Sequence, residues 1–217
     1  MRTRWIMTDR LTRTVWLPFA IVLTLAGCRD VVGPLNGHTV AGLQYQAPAD
    51  SSMPQHMLQQ SPTAPVLETY QLSFWAHHDR ETTVAVNYRS GQPFLRFHIP
   101  KFGLMRRPDG TRLWGRDSLL ITMTLDTVNL QVTFEPSGVQ FSIALAPQLV
   151  IYYENANPDL NGDGVVDSTD LWLERQLAIW GQAAKTQGWF QVASKNDPTR
   201  QYVAATLYHF SEYAICW

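Results

Sequence analysis

Twelve consecutive residues have the types and order that a hard cation requires: Asp159-Leu160-Asn161-Gly162-Asp163-Gly164-Val165-Val166-Asp167-Ser168-Thr169-Asp170. An ion such as Ca2+ takes about six to eight oxygen ligands in a flexible shell. Asp159, Asn161 and Asp163, at positions 1, 3 and 5, place side-chain oxygens on alternate residues. Gly164 permits a sharp turn, Val165 offers its backbone carbonyl, Asp167 reaches the ion directly or through water, and Asp170 closes the set. Val166 supplies an apolar contact under the loop. Four carboxylates this close repel one another unless a cation lies among them. That repulsion separates the segment from an ordinary Asp/Asn/Gly surface turn, and it makes Ca2+ the expected cofactor.

The order resembles the EF-hand loop at every ligand position. Aspartate instead of glutamate at position 12, and the run from Asp159 through Asp163-Gly164, Val166 and Ser168 to Asp170-Leu171, resemble dockerin repeats. That resemblance implies a Ca2+-ordered segment and a cohesin partner. Dockerins normally carry two repeats, and one is present here. Pro158 and the strand before it stand where an entering helix would be. An exiting helix is predicted from Asp170 to Trp180, stopped by Gly181, because Leu173, Leu177 and Trp180 recur at i, i+4 and i+7.

A different chemistry belongs to Cys28. Residues 1–13 carry Arg2, Arg4, Arg10 and Arg13 against Asp9, and an apolar run follows from Val15 to Ala26. That run is too short for a spanning helix, which needs about 20 residues. A basic start and a short apolar stretch read as a secretory signal. The ending Leu25-Ala26-Gly27-Cys28 resembles the lipobox of bacterial lipoproteins. The resemblance implies cleavage before Cys28, acylation of its thiol and a membrane anchor in the cell envelope. Arg29 stands where an aspartate would favour retention in the inner membrane, so the outer membrane is favoured. Without residues 1–27 the chain has 13 Lys and Arg against 17 Asp and Glu, a net charge of −4. Cys216 is then the remaining thiol, with no cysteine partner in the chain.

The elements that must position these residues follow from composition and patterning. The chain has 217 residues, is 45% hydrophobic and 12% aromatic, and has a formal net charge of −1. That composition supports one packed domain with appendages and excludes a disulfide scaffold or a strongly basic nucleic-acid binder. Residues 28–66 are proline- and glutamine-rich without a sustained period, which predicts a lipidated cysteine and a flexible tether. From Leu67 short alternating runs recur between Gly, Pro and Asp turns, at Tyr70–Ala76, Val84–Tyr88, Phe94–Ile99, Leu119–Thr124, Leu130–Phe134, Phe141–Leu145, Leu149–Tyr153, Trp189–Ser194, Tyr202–Leu207 and Tyr213–Cys216. They predict a mainly β fold, an antiparallel sandwich over 67–217 with the calcium loop and one short helix inserted at 156–182.

Phe134-Glu135-Pro136-Ser137-Gly138-Val139-Gln140-Phe141, the stretch Pro147–Tyr153 and the ending His209-Phe210-Ser211-Glu212-Tyr213-Ala214 are similar to bacterial ZU5-like domains. The resemblance covers roughly 70–155 and 186–216, and implies a non-enzymatic interaction or spacer module on a surface protein. It also suggests an alternative, because His-Phe-Ser resembles the self-cleavage motif of some ZU5 domains. There Ser211 would attack the Phe210 carbonyl and His209 would assist as base. Against it stands an ordinary final core strand with Phe210 buried. His77-His78-Asp79 reads as a solvated turn beside Arg80 and Glu81; of the eight tryptophans Trp16 lies in the signal, and those beyond the signal would suit a glycan platform or core and helix positions equally.

Overall fold

A computed structural model describes residues 56–217. The proposed signal at 1–27, Cys28 and the tether up to residue 55 lie outside the described residues. Chain order gives β1 (Gln71–His77), β2 (Thr82–Asn87), β3 (Pro93–Ile99), β4 (Leu104–Arg106), β5 (Ser118–Asp126), β6 (Gln131–Glu135), β7 (Gln140–Phe141) and β8 (Gln148–Tyr152). The helix α1 (Ser168–Glu174) follows, then β9 (Ala178–Gln182), β10 (Phe190–Gln191), β11 (Ser194–Asp197), β12 (Tyr202–Thr206) and β13 (Glu212–Cys216).

The strands form two main antiparallel sheets and one small ribbon. The larger sheet runs β1-β5-β6-β13-β9-β10, the smaller β11-β12-β8-β3-β2, and β4 pairs with β7. The predicted antiparallel β-sandwich is therefore the fold. Alternation sets each register. In β5, Ile121, Met123 and Leu125 are buried while Leu120 and Thr124 face out. Ile121 lies opposite Phe74 of β1, and Phe97 of β3 lies opposite Leu149 of β8. A one-residue slip would turn each apolar set outward.

Phenylalanines join the two sheets. Phe97 of β3 meets Phe134 of β6 at 4.7 Å between ring centroids. Phe134 stacks on Phe210 at 4.7 Å with only 3° between planes, and Phe141 meets Phe210 edge-on at 4.8 Å. Phe97, Phe134 and Phe210 are buried from solvent.

Several expectations from the sequence differ from the structure: the run Phe141–Leu145 is a strand only at Phe141, Trp189–Ser194 is split between β10 and β11, and two differences alter the organisation. The helix ends at Glu174, and Ala178–Gln182 is a strand paired with β13, Ile179 opposite Ile215. Leu177, Ala178, Ile179 and Trp180 are all buried, so this stretch is covered on both faces. A helix would have covered one face only. Gly181 fits the strand closely: a Cβ there would stand 2.9 Å from the Phe190 ring and 3.0 Å from that of Tyr213. The inserted segment thus ends before β9, which belongs to the sandwich.

The tether also ends earlier than residue 66. Leu58 is buried, its N–H donates to the Ile215 carbonyl at 2.8 Å, and Met57 bridges Cys216. Gln60 bridges Ala156 and Leu67 bridges Tyr88, so residues 56–66 lie along the sandwich.

Phe134→Ala would remove the ring shared by both sheets. A loss of about 3–5 kcal/mol in unfolding free energy is expected by denaturant titration, the cost of truncating a buried Phe. A loss below about 1 kcal/mol would show that the rings do not join the sheets.

Candidate metal centre

Side-chain oxygens wind the acidic loop by capturing backbone N–H groups. Asp159 accepts from Gly162 through Oδ1 at 2.8 Å and from Gly164 through Oδ2 at 2.9 Å. Asn161 Oδ1 accepts from Asp163 N–H, and Asp163 Oδ1 accepts from Val165 N–H. Asn161 Nδ2 donates to Asp163 Oδ2 at 2.9 Å. The bonds of Asn161 and Asp163 to the N–H two residues on are Asx turns. Gly162 at φ +74° and Gly164 at φ +85° adopt the left-handed backbone that the winding demands.

Asp170 has a distinct position. It is buried, and its Oδ1 accepts from Leu160 N–H at 2.7 Å and Asn161 N–H at 3.2 Å. Its Oδ2 accepts from Asp167 N–H at 2.9 Å. Asp167 is the helix N-cap and accepts from Thr169 N–H at 2.7 Å. Asp167 and Asp170 together form a capping box with aspartate in place of the usual glutamate. Asp170 therefore clasps the start of the loop to the start of α1. The Asp-x-x-Asp spacing before an apolar residue was the sequence signal for this role.

The loop carries the oxygen types of a hard-cation site, and those oxygens are turned to backbone N–H groups. Asp159, Asn161, Asp163 and Asp167 stand on one wound segment with the Val165 carbonyl. Each side-chain oxygen named above as accepting one N–H keeps a lone pair, and so does Asp170 Oδ2. Asp170 Oδ1, which accepts two, is filled. Among the described residues no three His, Cys, Asp or Glu side chains are grouped closely enough to hold a metal ion. The side-chain ion pair among them is Arg80 with Asp79, at 3.8 Å, so no cationic side chain offsets the four loop carboxylates.

Backbone hydrogen bonds, that from Asp167 first, hold the Asp170 carboxyl below the ordinary carboxylate range, against the opposing effect of its desolvation.

At His209-Phe210-Ser211 the Phe210 carbonyl accepts from Gly138 N–H at 3.1 Å, and Phe210 N–H donates to Val139 at 3.0 Å. The Ser211 hydroxyl is buried without a hydrogen-bond partner. Burial pushes the Tyr213 phenol well above its ordinary pKa, a rise that the neighbouring Ser211 hydroxyl partly opposes. Tyr213 Oη donates to the His209 carbonyl at 2.6 Å. Burial pushes His209 below its ordinary pKa, so its ring is neutral near pH 7. The left-handed non-glycine residues described are Phe102, Leu130 and Gln201, none of them in the triplet.

His78 is a structural tie, its Nδ1 sharing a hydrogen bond of 2.7 Å with the Leu104 carbonyl. Trp75, Trp114 and Trp172 are exposed, on β1, in a loop and on α1. Burial pushes the Cys216 thiol up to about 12, which leaves it protonated and unreactive. No protein-family model matches the sequence, and no curated protein or solved structure matches it.

A depressed folded-state pKa contributes stability that is present above the unfolded value, about 3.9 for Asp, and lost as pH falls through the folded value. Acid melts should therefore show a loss below about pH 4 that Asp170→Asn reduces. An identical pH profile in the variant would remove Asp170 from that role.

Proposed function

We propose that this chain is a non-enzymatic, calcium-binding interaction or spacer module of the bacterial cell envelope, tethered through lipid on Cys28, with the outer membrane favoured. Its sandwich is read as ZU5-like. The observation that supports calcium is a wound loop of four carboxylates with no cationic side chain against them. Asp159, Asn161, Asp163, Asp167, Asp170 and the Val165 carbonyl would hold the ion after converging on it, since their side chains are engaged with backbone N–H groups and are not grouped for a metal in this structure. Calcium would supply charge neutralisation and cross-link the loop. The chain's own residues already set the loop's winding and fix α1 behind it.

The role in this reading is structural. The loop joins β8 to β9, so ordering it restrains two strands of different sheets. A ligand present at a hundred times its dissociation constant stabilises a fold by about 2.7 kcal/mol. The melting temperature should then rise by roughly 5–10 °C for a domain of this size. Calorimetric titration and melting with Ca2+ should show that response in the parent and not in Asp159→Ala/Asp163→Ala. The same response in both proteins would reject the site.

Self-cleavage is a second reading, favoured by the unpartnered Ser211 hydroxyl beside a carbonyl that Gly138 N–H already polarises. Ser211 Oγ would add to the Phe210 carbonyl carbon, the Phe210–Ser211 C–N bond would break, and the freed nitrogen would take the hydroxyl proton. Water would then hydrolyse the ester. Intact-mass measurement of the denatured protein distinguishes the readings. A full-length mass is expected for the module, and loss of residues 211–217 would replace it with the autoproteolytic reading.

A further inference from the structure

Charge is distributed unevenly along the sandwich. Residues 56–217 hold 12 Lys and Arg against 15 Asp and Glu. Yet Lys101, Arg106, Arg107, Arg112 and Arg116 fall within sixteen residues that contain one carboxylate, Asp109. From Glu154 to Glu174 there are six carboxylates and no Lys or Arg. The two regions lie at opposite ends of β5. Arg107 Nη2 donates to the carbonyl of Ser118, at the start of that strand. Beyond its other end, the Val128 carbonyl accepts from Gln60, whose neighbour Gln59 accepts from Asn157 beside the acidic loop. Nine residues of strand separate the ends by about 30 Å.

The cationic end is tied by backbone hydrogen bonds. Residues 112–114 lie along β4: Arg106 bridges Arg112, and Leu113 N–H donates to the Met105 carbonyl at 2.8 Å. Arg106 Nη1 donates to the Gly110 carbonyl at 2.9 Å. Asp109 Oδ1 accepts from Thr111 N–H and Asp117 Oδ2 from Trp114 N–H, so these two carboxylates are engaged with backbone and form no ion pair with an arginine; Asp79, which follows His78, pairs with Arg80 at 3.8 Å.

The same end displays apolar side chains. Two turns lie together, Lys101–Phe102 and Ile143–Leu145, joined where Ser142 N–H donates to the Gly103 carbonyl at 2.8 Å. They approach so closely that a Cβ on Gly103 would stand 2.6 Å from the Leu145 carbonyl oxygen. Phe102 is held at φ +64°, a conformation rare for a bulky residue, and remains 46% exposed. Ile143 is 71% exposed and Trp114 73%. Leu145 and Ala144 are exposed too. Lys101 Nζ sits 4.8 Å from the Phe102 ring centroid.

We infer that this end of the sandwich is a non-covalent docking surface for an anionic lipid bilayer. Cations near such a surface are drawn to its head groups. Phe102, Ile143 and Leu145 can enter the head-group and acyl boundary, where Trp114 also fits as an interfacial side chain. A soluble polyanion would use the cations but would give the aliphatic tips nothing to cover them. The 27 residues between Cys28 and His56 can extend about 90 Å. That exceeds the distance between the ends, so an anchor at Cys28 allows the far end to reach the same membrane. The inference does not depend on calcium or on acylation.

The test uses the full chain carrying Cys28→Ser, so that no acyl chain contributes, and sedimentation with vesicles of phosphatidylcholine alone or mixed equally with phosphatidylglycerol. The basic segment before Val15 is the same in every protein compared. Arg112→Ala/Arg116→Ala should weaken binding to the anionic vesicles about 25-fold, at about fivefold per cation. Phe102→Ser/Ile143→Ser should weaken it about tenfold. All four side chains are exposed, and unchanged melting temperatures would establish intact folds. Vesicles with brominated acyl chains should quench the parent's fluorescence more than that of Trp114→Phe. Parent-like binding by both double variants would overturn the inference. So would parent-like vesicle binding by Phe102→Ser/Ile143→Ser together with tight binding of an acidic polysaccharide or DNA, which would assign the cations to a soluble polymer.

Discussion

The contact on which the rest of this structure depends is the phenylalanine cluster between the sheets. Phe97 comes from one sheet, Phe134 from the other, and Phe210 from the segment entering β13. Burying these rings removes a large apolar area from water and fixes the sheets at a common spacing. Once that spacing is set, β13 must lie between β6 and β9, which places the final strand in the middle of a sheet. The burial of Ser211, the Gly138 contact to Phe210 and the landing of Leu58 on Ile215 all follow from where β13 lies. The acidic loop is an excursion between two strands that the cluster already holds.

Most of the sandwich was legible in the sequence because its strands are exposed on one face. Alternation in β3, β5, β6 and β12 is a direct trace of that asymmetry. Legibility failed where asymmetry was missing. Ala178–Gln182 is covered from both sides, so its apolar residues are contiguous, and Leu177 and Trp180 happen to match a helical spacing with Leu173. Residues 56–66 failed for another reason. Their contacts are single bridges to distant strands, anchored by Leu58, and such contacts leave no periodic mark among prolines and glutamines.

The candidate loop was legible in its residue types, less so in its division of labour. Spacing made Asp159, Asn161, Asp163, Asp167 and Asp170 members of one ligand set. The structure separates them: the first three wind the loop, Asp167 caps α1, and Asp170 is buried as a clasp. A spacing rule records which atoms are near in sequence. It does not record which backbone N–H groups compete for the same carboxylate, and here that competition decides the roles.

The meeting of the described ends has a consequence of its own. Trp217 N–H donates to the His56 carbonyl at 3.2 Å, and their rings lie 5.5 Å apart. The two ends of the described residues thus meet at one point of the sandwich. A fold closed in this way could be spliced into a surface loop of another protein without stretching its host, or reopened at an exposed turn with its old ends fused. Its topology makes it portable.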